Sequence, residues 1–88
     1  MGKSAIITGS TSGIGLGIAD ALADAGYNVV INGFGDAGEI ERTRTDLAAK
    51  YGGEALYSNA GMRRSEDIHR MIDETVAAFG SVDVIVNN

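Results

Sequence analysis

Three glycines within eight residues, interleaved with hydroxyl side chains in Thr8-Gly9-Ser10-Thr11-Ser12-Gly13-Ile14-Gly15, have the types and spacing to hold a phosphate. A strand that ends in such a turn and feeds a helix aims backbone N–H groups and the positive end of the helix dipole at one point, where a pyrophosphate fits. Gly9 permits a sharp turn off the strand, Gly13 lets the backbone approach the diphosphate, and Gly15 lets the helix pack closely on the sheet. Ser10, Thr11 and Ser12 add hydroxyl donors.

A second stretch, Gly33-Phe34-Gly35-Asp36-Ala37-Gly38, spells G-x-G-x-x-G letter for letter. Charge argues against it as the phosphate loop, because Asp36, Glu39 and Glu41 crowd the start of the following helix, satisfy its dipole and repel a diphosphate. Its position after a second strand suits contact with an adenosine ribose. Elsewhere the chemistry is sparse. His69, beside Glu66, Arg70 and Asp73, reads as a wet helix face with no second ligand at useful spacing, so no metal site is expected. Met62 could touch adenine or pack within its loop. The three tyrosines are expected to pack at element ends with their hydroxyls outward.

Positioning the turn requires a strand on one side and a helix on the other, and the pattern supplies both. Ser4-Ala5-Ile6-Ile7 is an apolar run before it, and Ile14, Ile18, Ala21, Leu22 and Ala25 form a stripe after it that stops at Gly26. Asn28-Val29-Val30-Ile31-Asn32 is apolar enough for a parallel strand covered on both faces. Residues 38–51 read as a helix with Ile40, Thr43, Leu47, Ala48 and Tyr51 inward, and Glu54 to Ser58 as a third strand. Ser65 can cap a further helix carrying Ile68, Met71, Ile72, Thr75, Val76 and Phe79, closed by Gly80, before a fourth strand from Val82 to Val86. The β-α-β-α-β-α-β pattern predicts an α/β fold: a Rossmann-like doubly wound parallel sheet with strand order 3-2-1-4.

The 88 residues carry 12 acidic against 7 basic side chains, a net charge of −5, which leaves no basic stripe for nucleic acid; Arg63 and Arg64 stand as an isolated pair. Without cysteine there is neither a disulfide framework nor a thiolate metal site. Met1-Gly2-Lys3 precedes too short an apolar run for a signal peptide, and no segment is long enough to span a membrane, so a cytoplasmic location is expected. A phosphate-accepting receiver domain would need a carboxylate after the first strand, where Thr8-Gly9 stands. An FMN-binding module would need more aromatic residues in its loops than Phe34.

Thr8-Gly9-Ser10-Thr11-Ser12-Gly13-Ile14-Gly15 resembles the T-G-x-x-x-G-x-G turn of the short-chain dehydrogenases/reductases, and Val86-Asn87-Asn88 resembles the start of their N-N-A-G motif. The string from Gly9 to Ala19, with Asn32-Gly33-Phe34-Gly35-Asp36, is similar to the bacterial D-3-hydroxybutyrate dehydrogenases within that family. The resemblance covers essentially the whole chain, but only about the first third of a typical family member. It implies that Gly9, Thr11, Ser12, Gly13, Ile14 and Gly15 hold the pyrophosphate and neighbouring ribose, Phe34 borders the adenosine ribose, and Asn88 lies beside the nicotinamide ribose. Where relatives place an aspartate for the adenine amino group this chain has Gly61, a departure that removes that contact and leaves the backbone of the flanking Ala60 and Met62 as the expected lining of the pocket.

The family's Tyr-x-x-x-Lys pair is missing, since the residues four past Tyr27, Tyr51 and Tyr57 are Ile31, Ala55 and Gly61; no catalytic residue is assigned. The chain therefore reads, over 1–88, as the N-terminal part of one dinucleotide-binding domain. By resemblance the intact enzyme transfers hydride between NAD and 3-hydroxybutyrate or acetoacetate as a homo-oligomer, a tetramer in this family. The alternatives are an NADPH-dependent 3-oxoacyl reductase and a non-catalytic NAD-binding module. NAD is favoured because Ser12 stands where a cation would grip a 2′-phosphate and Asp36 would repel one. The 88 residues alone are expected neither to turn over substrate nor to form a fully stable domain, as Val82 to Val86 would carry an unpaired apolar edge.

Overall fold

The computed structural model describes residues 2–88; the N-terminal reading at Met1 lies outside them. The strands β1 (Ser4–Ile7), β2 (Asn28–Asn32), β3 (Ala55–Ser58) and β4 (Val84–Val86) alternate with α1 (Gly13–Asp24), α2 (Ala37–Tyr51) and α3 (Ser65–Phe79). All strand pairs are parallel, in the order β3-β2-β1-β4, as the right-handed wrap predicts. The register sets Ile6 beside Val30 and Ile85.

Period-two alternation divides the strands between two cores. Ala5, Ile7, Val29 and Ile31 face α1 and α2, joining Ala19, Ala23, Ile40 and Leu47. Ile6 and Val30 face the opposite side, where Met71 and Phe79 of α3 cover them. Both faces of β1 and β2 are thus dry, and each fully buried isoleucine contributes about 1.5–3 kcal/mol of burial. The chain winds to one face from β1 towards β3 and to the other from β3 to β4. The reversal opens a crevice beyond the C-terminal end of β1, where sheets of this kind bind ligands. No helix among the described residues is long and apolar enough to cross a membrane.

Several local expectations are corrected. The buried stripe of α1 is Gly15, Ala19 and Ala23, with Ile18 and Leu22 on its flanks, Ala21 and Ala25 outward and Ile14 80 % exposed. Small residues face the sheet because the helix lies so close that bulk fits only beside the contact. Arg64, not Ser65, occupies the cap position of α3, with no side-chain bond to the helix, and Val76 is largely exposed. The fourth strand begins at Val84; Val82 packs on the α3-side core, and Asp83 turns its carboxylate to the Ser4 N–H at 2.9 Å. Nor are the tyrosine hydroxyls all free: Tyr51 donates to Asp20 at 2.8 Å and Tyr57 to the Gly33 carbonyl at 2.6 Å.

Candidate functional site

The turn after β1 is held from beneath by groups that point into the fold. Ser10 is fully buried; its hydroxyl donates to the Ile7 carbonyl at 2.6 Å and accepts the Asn32 N–H at 2.9 Å. Asn32, at the end of β2, donates its amide to the carbonyls of Ser58 and Ala60 at 3.0 and 3.1 Å and accepts the Gly9 N–H at 3.4 Å. One buried side chain thereby ties together the ends of three strands. On the other side, the Asn88 N–H donates to the Thr8 hydroxyl at 3.0 Å and the Asn88 amide to the Gly9 carbonyl at 3.1 Å, which joins β4 to the turn.

What remains available is the N-terminus of α1. Its first helical bond runs from the Leu16 N–H to the Ser12 carbonyl at 3.3 Å, so the N–H groups of Gly13, Ile14 and Gly15 precede the helical ladder. Ser12 stands at the cap position without a side-chain bond to the helix, and no acidic residue occupies the first turn. Helix geometry directs these donors and the dipole's positive end back towards the turn. Gly15 makes the approach possible: a Cβ there would overlap the Gly9 carbonyl oxygen and come within 2.7 Å of the Asn88 amide nitrogen. Gly9 and Gly13 both adopt positive φ, 60° and 61°.

A cleft of about 650 Å3 lies at the C-terminal ends of the strands. Gly9, Thr11 and Ser12 form one wall, Phe34 another, and Ala60, Gly61, Met62 and Asn88 the remainder. Eight of the eleven expected binding residues therefore meet around one space. The other three do not line it: Gly13 borders a hollow of about 870 Å3 between the flanks of α1 and α2, Ile14 projects outward, and Gly15 is buried against the turn.

The hydroxyl donors expected of the turn are corrected by the hydrogen bonds. Ser10 is engaged in the frame, and Thr11 donates to the Phe34 carbonyl at 3.1 Å, which leaves Ser12 as the hydroxyl open to a ligand. Arg63 and Arg64, the pair without a basic stripe, both line the cleft, on the β3 side. Arg44 is drawn away from it, donating to the Ala55 carbonyl at 3.0 Å and pairing with Glu41, whose carboxyl that hydrogen bond holds below its ordinary range. Behind Gly61, the Asp67 carboxylate accepts the Gly61 N–H at 3.3 Å. Asn32 and Tyr57 escaped the sequence reading of the site; a polar residue closing the apolar run Val29-Val30-Ile31-Asn32 was the available signal for Asn32.

The short chain dehydrogenase family profile matches residues 3–88. A D-beta-hydroxybutyrate dehydrogenase of Rhizobium meliloti is 46 % identical over 88 residues, spanning 100 % of this chain and 34 % of the relative. A 3-oxoacyl-[acyl-carrier-protein] reductase FabG of Staphylococcus epidermidis is 43 % identical, spanning 100 % of this chain and 36 % of the relative. Among solved structures, L-sorbose reductase of Gluconobacter frateurii, complexed with NADPH and L-sorbose, superposes with a TM-score of 0.88 at 32 % identity, over 99 % of this chain and 33 % of that one. The chain thus spans about a third of the length of these proteins.

Proposed function

We propose, from the premise that this chain belongs to the short-chain dehydrogenase family, that its cleft binds NAD and orients it for hydride transfer to or from the hydroxyl-bearing carbon of a 3-hydroxy acid, with 3-hydroxybutyrate and acetoacetate as the substrate pair. The observation that carries this reading is the open N-terminus of α1 beside a turn close enough to require Gly15. The N–H groups of Gly13, Ile14 and Gly15 and the Ser12 hydroxyl would hold the diphosphate, with Gly9 and Thr11 beside it. Phe34 would border the adenosine ribose, Ala60, Gly61 and Met62 the adenine, and Asn88 the nicotinamide ribose. The nicotinamide ring supplies the hydride chemistry when bound; these residues bind and orient it.

A hollow of about 360 Å3 between Ser12, Phe34 and the start of α2 supports NAD over NADP, because Asp36 and Glu39 line it and no cation does. A 2′-phosphate there would face two carboxylates. Arg63 and Arg64, across the cleft, favour an anionic ligand without choosing between the dinucleotides. Residues 1–88 hold no Tyr-x-x-x-Lys; we assign them to the N-terminal part of a single domain, inactive alone, within a cytoplasmic homotetrameric enzyme. The 43 % identity to a 3-oxoacyl reductase makes that reduction the second reading.

Two measurements on the polypeptide that carries this chain test the proposal. Calorimetric titration should give a lower Kd for NAD than for NADP, and the reverse order at physiological salt would overturn the cofactor assignment. Reduced nicotinamide should appear with 3-hydroxybutyrate. Turnover of 3-oxoacyl thioesters without any oxidation of 3-hydroxybutyrate would transfer the assignment to the second reading.

A further inference from the structure

The loop between β2 and α2 is clamped from two directions. Tyr57, on the edge strand β3, donates its hydroxyl to the Gly33 carbonyl at 2.6 Å, and Thr11, in the turn after β1, donates to the neighbouring Phe34 carbonyl at 3.1 Å. Two consecutive carbonyls are thus fixed by side chains from two different elements. The loop also runs hard against the turn: Gly33 has φ +147°, and a Cβ on it would lie 2.7 Å from the Thr11 hydroxyl. Such a backbone gives up much conformational freedom on folding and needs outside bonds to stay in one shape.

We infer that Tyr57 is a positioning residue for the choice of dinucleotide, holding Gly33-Phe34-Gly35 in the shape that excludes a 2′-phosphate; this rests on the cleft being a dinucleotide site. Phe34 is 77 % exposed, so packing does not hold it in place. Asp36 and Glu39, immediately beyond, line the hollow that an added phosphate would enter. Carboxylates exclude an anion only while they cannot withdraw. Without the Tyr57 bond the loop would be tied to the turn by Thr11 alone, and a wider spread of loop positions would enlarge that hollow at times, weakening the exclusion and loosening the ribose wall together. The hydroxyl of Tyr57 therefore acts on the ligand through the loop.

The test is Tyr57→Phe in the polypeptide that carries this chain, read by calorimetric Kd for NAD and NADP and by amide hydrogen exchange at Phe34 to Asp36. Losing one hydrogen bond of ordinary strength should reduce the preference for NAD by about three- to tenfold and speed exchange in the loop. Thr11→Val, which releases the loop from the opposite side, should shift the ratio in the same direction. Tyr51→Phe serves as the comparison, since its hydroxyl meets Asp20 on the flank of α1; it should lower Tm without moving the ratio. An unchanged NAD to NADP ratio in Tyr57→Phe overturns the inference whatever the exchange shows. Failure of the unsubstituted protein to bind either dinucleotide overturns the cofactor reading together with the inference, and is recognisable because no ratio then exists.

Discussion

The turn after β1 and the loop after β2 both lead from a parallel strand through glycines into a helix, yet one leaves the helix N-terminus open and the other closes it. At α1 the cap residue Ser12 makes no bond to the helix and the first turn carries no acid. At α2 the Asp36 carboxylate accepts the Glu39 N–H at 3.0 Å, and Glu39 adds a second negative charge to the first turn. A capping side chain contributes about 1 kcal/mol and a carboxylate near the dipole about 0.3–1 more, so a phosphate at α2 would displace a bonded group and meet its charge. The better-spelled motif is the closed one. The α1 end alone leaves its helix-terminal donors without a side-chain acceptor, which is the condition a phosphate site requires.

The largest effects should come from filling the open turn. Gly15→Ala sets a methyl group into the Gly9 carbonyl, backbone against backbone, and neither can rotate away. We expect a loss of roughly 1–3 kcal/mol in stability and of measurable dinucleotide binding. A normal melting curve with normal NAD affinity would mean that the close approach is not needed. Gly13→Val separates ligand approach from packing, because a Cβ there meets nothing within 4 Å while φ is +61°. The backbone strain should cost about 1–2 kcal/mol, and the Kd for NAD should rise by tenfold or more (about 1.4 kcal/mol). Asp24→Asn, on the exposed end of α1, is the neutral comparison; Asp20 is not, since it accepts from Tyr51 and pairs with Lys50. Equal NAD affinities in Gly13→Val and Asp24→Asn would mean that the diphosphate does not approach the backbone at Gly13.

Changes at the closed end should be milder and of another kind. Asp36→Ala removes the cap of α2 and should cost about 1 kcal/mol, read as a lower Tm, with NAD affinity nearly unchanged. Asp36→Asn keeps a capping oxygen while discarding the charge, so it should retain most of the stability and improve NADP binding. A large loss of NAD affinity in Asp36→Ala would break the contrast between the two helix ends.

Strand order and helix placement were legible because each rests on a run of several residues that agree: apolar strands, and helical segments bounded by glycine turns. The inner face of α1 was not, because the periodicity weights Ile14 and Ile18 while the real contact is made by Gly15, Ala19 and Ala23, and close approach selects for small size rather than hydrophobicity. The hydroxyls were misread for a related reason. Ser10, Thr11 and Tyr57 bond partners between 3 and 24 residues away in the chain, and a sequence gives the donor without the direction it points. Arg63 and Arg64 remain a pair without a basic stripe, and their place at the cleft depends on the path of the β3-to-α3 loop, which the pair itself does not encode.

The smallest effect concerns a third carboxylate that, like Asp36, holds a backbone N–H, at the opposite end of the sheet from the cleft. Asp83 accepts the Ser4 N–H at 2.9 Å and the Ser81 hydroxyl at 2.8 Å, while its own N–H donates to the Ser4 carbonyl at 2.9 Å. The bond from Ser4 first, then that from Ser81, and to a lesser degree the charge of Lys3, hold its carboxyl below the ordinary value of 3.8. A folded-state value lowered in this way stabilises the fold fully above the ordinary carboxylate range, and the contribution is lost as pH falls through the lower folded value. Asp83→Asn removes the charge and keeps one acceptor oxygen. Its Tm should therefore lie slightly below that of the unsubstituted protein at neutral pH, with the gap closing as pH falls below the ordinary carboxylate range and through the lowered folded-state value, beneath which both side chains are uncharged. The carboxylate is exposed, so the gap should be small and should shrink further in salt. A gap that stays constant across that pH range would show that Asp83 ties β1 to β4 by shape alone, and that its charge, unlike that of Asp36 at α2, has no part in closing its end of the sheet.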